Sequence, residues 1–490
     1  MNNPVLFPKR GLTPARCICA ITFVLAIGFC STATPQVIPT PTPVITSSQV
    51  PADVEIPSNF PVNQNAIAFF DDYSWRAFIA LVWPAQQGQR GVPDPSQTVG
   101  GTGPRVFETY KALNEVFHDD GSAPGAWNSF DPAQYNPCGI ASSWGVVTLG
   151  SFSKFSDLGQ ASFGSLTGPL IAQNTTYVRF LTAYSQTEFD QILTKQWYLR
   201  CNLPQQPISI CPNSPPAPAS ITFNVGSVDV KSSWMDMTGV KHPERYYTRT
   251  AWVLDPTSTP PQCVEKKMGL VGLHIVQKTP TRPQWIWSTF EQVDNLPSPQ
   301  GGAPFGPGTG NFNSGKPPAM PAQNPYKLDQ VLSPPTLAPF NVNRVKPINS
   351  STLTTNKAYQ AALAGTVWQN YQLVMTQWPV PGNAPANPGD PGHSFPGSGP
   401  GQATTAFANV TLETFEQGSV FTSCMACHNS TMGPTDFVFS LNDHAHPANK
   451  ATPNLLMNPA FRELRALMLK KATPETKESP QKKSNPPDKK

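Results

Sequence analysis

The chain has 490 residues, including 57 prolines and 34 glycines, and it is loop-rich, but 39% apolar residues exclude a charge-driven disordered protein. Its net charge of +4 lies at the two ends, because 1–33 carries three basic and no acidic residues and 470–490 carries seven lysines against three acids. The body between them is weakly acidic and lacks the concentrated basic face that nucleic-acid binding needs.

The N-terminus has the layout of a secretory signal peptide. A basic start precedes an apolar run from Cys17 to Cys30, and small residues follow up to Ala33. The run is shorter than the roughly 20 residues that cross hydrocarbon, which favours cleavage after Ala33 over an uncleaved anchor. We therefore expect a periplasmic or secreted protein with no transmembrane segment in its mature chain.

Four cysteines remain when the leader and a cysteine pair near residue 424 are set aside. They are Cys138, Cys201, Cys211 and Cys263. In an oxidising compartment, four cysteines favour two disulfides, for which three pairings exist. Proximity in sequence favours Cys201 with Cys211 and hence Cys138 with Cys263, and buried free thiols are the alternative.

The folded body begins after a proline-rich tether predicted at 34–60. Apolar residues at three- and four-residue steps over 63–84 predict a helix, which Pro84 ends. Four later segments predict strands, and the short spacings between the last three favour an antiparallel meander. The strands are Thr176–Tyr184, Arg245–Leu254, Met268–Val276 and Gln284–Phe290. Together these elements predict an α+β domain of unknown role over 61–295.

Beyond this domain, a stretch rich in proline and glycine predicts a linker at 296–350. A second helix is then predicted up to Pro379, because apolar residues again recur at helical spacing. These residues are Leu363, Val367, Tyr371, Val374 and Trp378. At the C-terminus, 472–490 contains almost nothing apolar and predicts a disordered basic tail.

Residues 424–428 read Cys-Met-Ala-Cys-His, which is the attachment pattern of a c-type haem. Two thiols three residues apart can each add to one vinyl group of the porphyrin, and the adjacent histidine reaches the iron from the same side. A redox disulfide and a structural zinc site are the alternatives. The first would need a strand-then-helix setting that the sequence lacks, and the second would need further ligands, for which His444 and His446 are the nearest.

The segment from about Thr411 to Lys471 resembles a class I cytochrome c, and the whole chain resembles large exported proteins that join such a region to an N-terminal domain. The resemblance implies that Cys424 and Cys427 hold one haem c by thioethers and that His428 is the proximal iron ligand. It also implies a helical haem-binding region at 351–471. The expected fold class is therefore α+β, with a mainly antiparallel β N-terminal domain, Pro/Gly-rich linkers and a C-terminal α-helical cytochrome c-like region.

The sixth iron ligand has several candidates. The family commonly uses a methionine before its last helix, and Met457 here precedes an Asn-Pro pair suited to a helix start. His446, or His444 beside it, is the second candidate, and Met432 is the third. A vacant or water-bound position also stays open, because the Gly-x-Met-Pro signature usual in the family is absent.

The leading interpretation is an exported monohaem c-type cytochrome that passes single electrons between redox partner proteins. The N-terminal domain is larger than electron transfer alone requires, which keeps two alternatives. One is a haem enzyme, peroxidase- or oxidase-like, with a vacant sixth iron position. The other is a haem-based redox sensor. An electron carrier is favoured over an enzyme.

Overall fold

The computed structural model is mostly β, and its described strands form one sheet of eight. All described residues belong to one compact unit, Thr40–Lys490. The described residues are 40–60, 66–118, 120–136, 138–149, 170–204, 211, 218–255, 262–316, 338–339, 341–379, 409–415, 417, 424–425, 428 and 435–446. The strands are β1 Lys111–Ala112, β2 Val147–Leu149, β3 Arg179–Tyr184, β4 Val228–Asp236, β5 Thr248–Asp255, β6 Gln262–Thr279, β7 Arg282–Gln292 and β8 Tyr371–Gln377.

The long strand β6 organises the sheet because it pairs along both of its edges. One edge pairs with β4, while the other pairs with β5 over 262–269 and with β7 from residue 272 onward. Beyond these strands, β3 and β1 continue from β4, β8 follows β7, and β2 joins β5 in parallel. Because β5 and β7 take successive halves of one edge, the sheet curls rather than lying flat.

Short helices cover this sheet, and the local predictions in the first part of the chain are confirmed. The predicted helix over 63–84 is α1, the four predicted strands are β3, β5, β6 and β7, and the last three form an antiparallel meander. The α-helices are α1 Ile67–Leu81, α2 Leu113–Val116, α3 Gln186–Thr194, α4 Ser350–Ala362 and α5 Phe439–His444. Turns of 3-10 helix lie at Val106–Thr109, Ala133–Tyr135, Arg200–Asn202, Pro243–Arg245, Val293–Asn295 and Val367–Asn370.

Aromatic side chains fill the core between α1, α4 and the sheet. Trp75 of α1 is fully buried, stacks on Tyr359 of α4 at 5.1 Å between ring centroids, and meets Phe290 of β7 edge to face at 5.0 Å. Its indole N–H donates to Asn356 Oδ1 at 3.0 Å. A buried tryptophan with its polar atom satisfied contributes a large apolar area without a desolvation penalty, so this cluster fixes both helices on the sheet.

The expected fold class, with a separate C-terminal helical cytochrome region, is wrong. The chain is mostly β, with a curled mixed sheet and short helices, and residues 371–377 of the predicted helical region at 351–471 form a strand of that sheet. The residues of the predicted helix ending at Pro379 instead follow helix α4, which ends at Ala362, and they form a turn and strand β8. Gly365, at φ +83°, lies in the turn between α4 and β8, a conformation that glycine adopts without steric cost.

Helical spacing was misleading here because β8 is buried on both faces. Six of its seven residues are buried, so the alternation that marks a half-exposed strand is lost. Its outer edge is covered by α4, where Asn356 donates to the Leu373 carbonyl at 2.8 Å and accepts from the Leu373 amide at 3.0 Å. Tertiary contacts therefore satisfy the backbone hydrogen-bonding groups at this strand edge, and the local sequence does not predict them.

Two segments predicted as a tether and a linker contact the sheet where they are described. In 40–60, the Pro51 carbonyl accepts from Gln277 Nε2 at 2.8 Å, and the Asp53 carboxylate accepts from the Thr281 amide at 2.9 Å. In 296–350, Phe312 is fully buried. These stretches are proline-rich, yet the described parts are fixed to the domain.

Both predicted disulfide pairings are confirmed. Cys201 is bonded to Cys211 and Cys138 to Cys263, with sequence separations of 10 and 125. Among the helices of the described segments, none is both long and apolar enough to cross a membrane.

Gly272 of β6 marks a close approach between the sheet and the segment 409–415. A methyl group at this position would collide with the hydroxyls of Ser233 and Thr411, which hydrogen-bond to each other at 2.7 Å. We expect Gly272→Ala to lower the free energy of unfolding by about 1 to 3 kcal/mol in urea denaturation. Gly269→Ala is the matched control, because the methyl there meets the flexible Met237 side chain and should cost less. Equal losses would contradict the proposed collision.

Candidate functional site

The described residues of the attachment motif lie against the sheet near the end of β8. Cys424, Met425 and His428 are described and have helical backbone, whereas Cys427 lies outside the described residues. Met425 is fully buried, and its amide donates to Gln377 Oε1 at 3.1 Å. Cys424 is half-buried and packs on two neighbouring apolar clusters of the core. The first cysteine of the motif is therefore held in place by the β domain itself.

A short hydrogen bond helps to orient the His428 ring. Its Nδ1 lies 2.6 Å from the backbone carbonyl oxygen of Phe437. Because a carbonyl can only accept, Nδ1 carries the proton and donates it, and in the neutral ring Nε2 then has the lone pair. A metal-bound histidine typically donates its second ring nitrogen to a carbonyl or carboxylate in this way. The donor set therefore fits an iron ligand that binds through Nε2.

Aromatic rings enclose His428 on the side that the structure describes. The Trp287 ring from β7 lies 4.6 Å from the imidazole centroid, and the Phe439 ring at the start of α5 lies at the same distance, edge to face. Trp287 and Phe437 also contact each other at 6.4 Å. These rings restrict the access of water to the half-buried imidazole.

The carbonyl that accepts from His428 belongs to a strained turn. Asp436 and Phe437 have φ angles of +53° and +69°, although non-glycine residues seldom adopt this region and bulky ones very seldom. The turn is closed by hydrogen bonds between Thr435 and Val438, one from the Val438 amide at 3.1 Å and one from the Thr435 hydroxyl at 3.0 Å. Strain of this sort persists only where surrounding contacts maintain it.

Those contacts converge on the buried carboxylate of Asp436. Its Oδ2 lies 2.6 Å from Lys278 Nζ at the end of β6 and accepts from the Phe223 amide at 2.7 Å, while Oδ1 accepts from the Trp285 indole at 3.2 Å. Burial raises the pKa of Asp436 to about 6, against the opposing effect of Lys278 and these donors. Burial likewise lowers the pKa of Lys278, and Asp436 opposes that shift. The carboxylate and the ammonium group are thus buried as a close pair.

The candidates for the sixth iron ligand are only partly described. Met457 and Met432 lie outside the described residues. His446 is described in a setting different from that of His428: its backbone bridges to Leu199, and its ring lies against Gly121. Its Nδ1 is buried and has no hydrogen-bond partner among the described residues. His444 packs near the Phe117 ring, and burial lowers its pKa to about 4.

The sequence identified the motif but not its supporting residues. Trp285 and Trp287 lie in a predicted strand and are buried, and Trp287 also contacts His428 while Trp285 binds Asp436. Asp436 and Lys278 were missed because 158 positions separate them. A spacing pattern carries no signal for such a pair, whereas the aromatic run was a visible feature with a second role.

A cavity of about 70 Å³ lies elsewhere, beside β2 and β3, and no motif residue lines it. Its walls include two ion pairs, Arg90 with Glu115 at 2.5 Å and Arg249 with Glu108 at 3.2 Å. Such a volume holds about two water molecules. Each guanidinium is paired with a carboxylate of opposite charge, and the cavity indicates no particular ligand.

Comparison with protein-family models, with characterised proteins and with solved structures found no match to this chain. Within the described segments, no three histidine, cysteine or acidic side chains converge as ligands of a metal ion. The functional evidence is therefore the motif and the geometry around His428.

Proposed function

We propose that the protein is an exported monohaem c-type cytochrome that transfers single electrons. The observation that carries this proposal is the hydrogen bond from His428 Nδ1 to the Phe437 carbonyl, within a Cys-x-x-Cys-His motif. The proposal rests on this attachment chemistry and requires no helical class I fold.

The residues of the motif have separate roles. Cys424 and Cys427 bind the haem through thioether bonds, and His428 is the proximal ligand. The haem supplies an iron that changes between two oxidation states without making or breaking bonds in the protein. The chain fixes the ligand geometry and excludes water, and Trp287 and Phe439 provide apolar contacts to the imidazole. Met457 is the proposed sixth ligand, on the sequence pattern before the last predicted helix.

Export supports this assignment on chemical grounds. The two disulfides of the β domain suit an oxidising compartment, and covalent haem attachment of this kind takes place outside the bacterial cytoplasm. We therefore propose a periplasmic or secreted protein that meets redox partner proteins there.

Covalent haem is tested by mass and by spectrum. The full chain, expressed with export and haem-attachment machinery, should have an intact mass larger than its mature polypeptide by one haem. We expect Cys424→Ala and Cys427→Ala to retain haem through one thioether at lower yield, and the double variant to lose it to acidic organic solvent. Met425→Leu is the matched control, since it changes a buried residue inside the motif but neither thiol. A wild-type mass equal to that of the polypeptide alone would refute the proposal.

Optical spectra separate electron transfer from the enzyme alternative. We expect a low-spin ferric spectrum that cyanide does not change and a ferrous spectrum that carbon monoxide does not change, because two protein ligands occupy the axial positions. Met457→Ala should convert it to a spectrum that responds to these ligands, whereas His446→Ala should leave it unchanged. High-spin wild-type iron that binds cyanide would instead favour a haem enzyme.

A further inference from the structure

The turn that presents a carbonyl to His428 is costly to form. Asp436 and Phe437 both have positive φ angles, and neither residue is a glycine. For Phe437 in particular the side chain crowds its own backbone in this region. A relaxed turn would move the Phe437 carbonyl, and the 2.6 Å hydrogen bond from His428 Nδ1 would be lost or weakened.

Contacts of the Asp436 side chain stabilise this strained turn. Three elements separated in sequence bind its carboxylate: Lys278 from β6, the Phe223 amide, and the Trp285 indole from β7. Lys278 is 2% exposed and Asp436 is fully buried. A charge-assisted bond in such surroundings is short and strong, and removing one partner leaves the other charge buried without compensation.

The Asp436–Lys278 pair is also connected to His428 through two tryptophans of β7. Trp285 binds Asp436, and Trp287, two residues further along β7, contacts both His428 and Phe437. Trp285 has a φ of +73° and lies beside a register shift between β6 and β7. This irregular backbone places both indoles against the turn and the imidazole. The β domain is thereby linked to the ring orientation of the proposed iron ligand.

We infer that Asp436, held by Lys278, is a positioning residue that keeps the Phe437 carbonyl on His428 Nδ1 and so sets the donor strength of that histidine. This inference rests on the proposed haem function. A donated Nδ1 proton makes the imidazole a more basic ligand, which favours ferric over ferrous iron. The intact pair should accordingly keep the midpoint potential lower than it would be with a relaxed turn.

Asp436→Asn tests the inference in the full-length holoprotein. We expect a higher midpoint potential in redox titration. In ¹⁵N-histidine-labelled ferrous protein, NMR should show at least tenfold faster solvent exchange of the His428 Nδ1 proton. The exchange rate reports the hydrogen bond itself, which a merely structural role of Asp436 would not change.

Lys278→Met separates positioning from simple electrostatics. Loss of a nearby positive charge would by itself lower the midpoint potential, whereas a relaxed turn should raise it and accelerate Nδ1 exchange. Asp294→Asn is the matched control, because Asp294 is buried and pairs with the partly exposed Arg245 at 2.7 Å. It should leave the potential and the exchange rate unchanged even where it lowers the melting temperature.

The outcomes distinguish the two proposals. A wild-type chain without covalent haem contradicts the proposed function. A haem-bearing wild type whose Asp436→Asn and Lys278→Met variants keep the wild-type potential and exchange rate overturns the positioning role alone. If neither variant folds, Trp285→Phe removes one donor to the carboxylate and keeps the aromatic ring. Unchanged Nδ1 exchange in that variant would also overturn the inference.

Discussion

Replacing Cys138 and Cys263 by serine is expected to lower the free energy of unfolding by about 5 kcal/mol. The bond closes a loop with a sequence separation of 125, so its loss gives the unfolded chain much greater conformational freedom. It also ties the loop after Cys138 to the start of β6, while β2 ties the other end of that loop to β5. Urea denaturation under non-reducing conditions measures the change.

The second disulfide provides the comparison. Cys201 and Cys211 are only 10 positions apart, and the same loop-entropy relation gives about 3 kcal/mol for their replacement by serine. The ratio of the two losses is informative because both variants remove one disulfide and add two hydroxyls. A larger loss for the short loop would show that native-state contacts, rather than chain entropy, determine the contribution of each bond.

The parts of the fold that the sequence predicts are those fixed by short-range patterns. The amphipathic spacing before Pro84 identifies α1, and β-branched runs bounded by turn residues identify β5, β6 and β7. The disulfide pairing also follows from sequence distance. Each of these signals lies within one element or between near neighbours, where local energetics and the final fold agree.

Strand β8 shows where this reasoning fails. Its sequence, Tyr-Gln-Leu-Val-Met-Thr-Gln, lacks clear alternation because helices cover the sheet here. Thr376 is buried like its apolar neighbours, and its hydroxyl donates a hydrogen bond to Asp71. The edge is satisfied by Asn356 from α4. A pattern search cannot recognise a partner that the chain brings close only after folding.

The candidate site likewise combines a feature that the local sequence predicts with one that depends on tertiary contacts. The motif at 424–428 is local and visible, while the anchor of His428 depends on Lys278 and Asp436, residues brought together across the sheet. This arrangement gives the large β domain a physical role in the proposed cytochrome. It packs against the first cysteine, contacts the histidine and binds the side chain of the strained turn.

Asp71 gives the second large expected effect, on the pH dependence of stability. This carboxyl in α1 is fully buried and accepts from the Thr352 hydroxyl of α4 at 2.7 Å and from the Thr376 hydroxyl of β8 at 2.8 Å. Burial raises its pKa from 3.8 to about 7, although both hydrogen bonds act in the opposite direction. The group therefore keeps its proton in the folded state over a range where the unfolded chain loses it.

The sign of the effect follows from this difference. Below pH 3.8, Asp71 is protonated in both the folded and the unfolded state, and its contribution to the free energy of unfolding is fully present. This contribution is lost as the pH rises toward 7. At about 1.4 kcal/mol per pH unit, the total loss is roughly 4 kcal/mol. Asp71→Asn should abolish this component, so that the variant resembles the wild type at pH 4 and exceeds its free energy of unfolding at pH 8. Urea denaturation between these values measures it, and parallel profiles would show that Asp71 is already ionised in the folded protein.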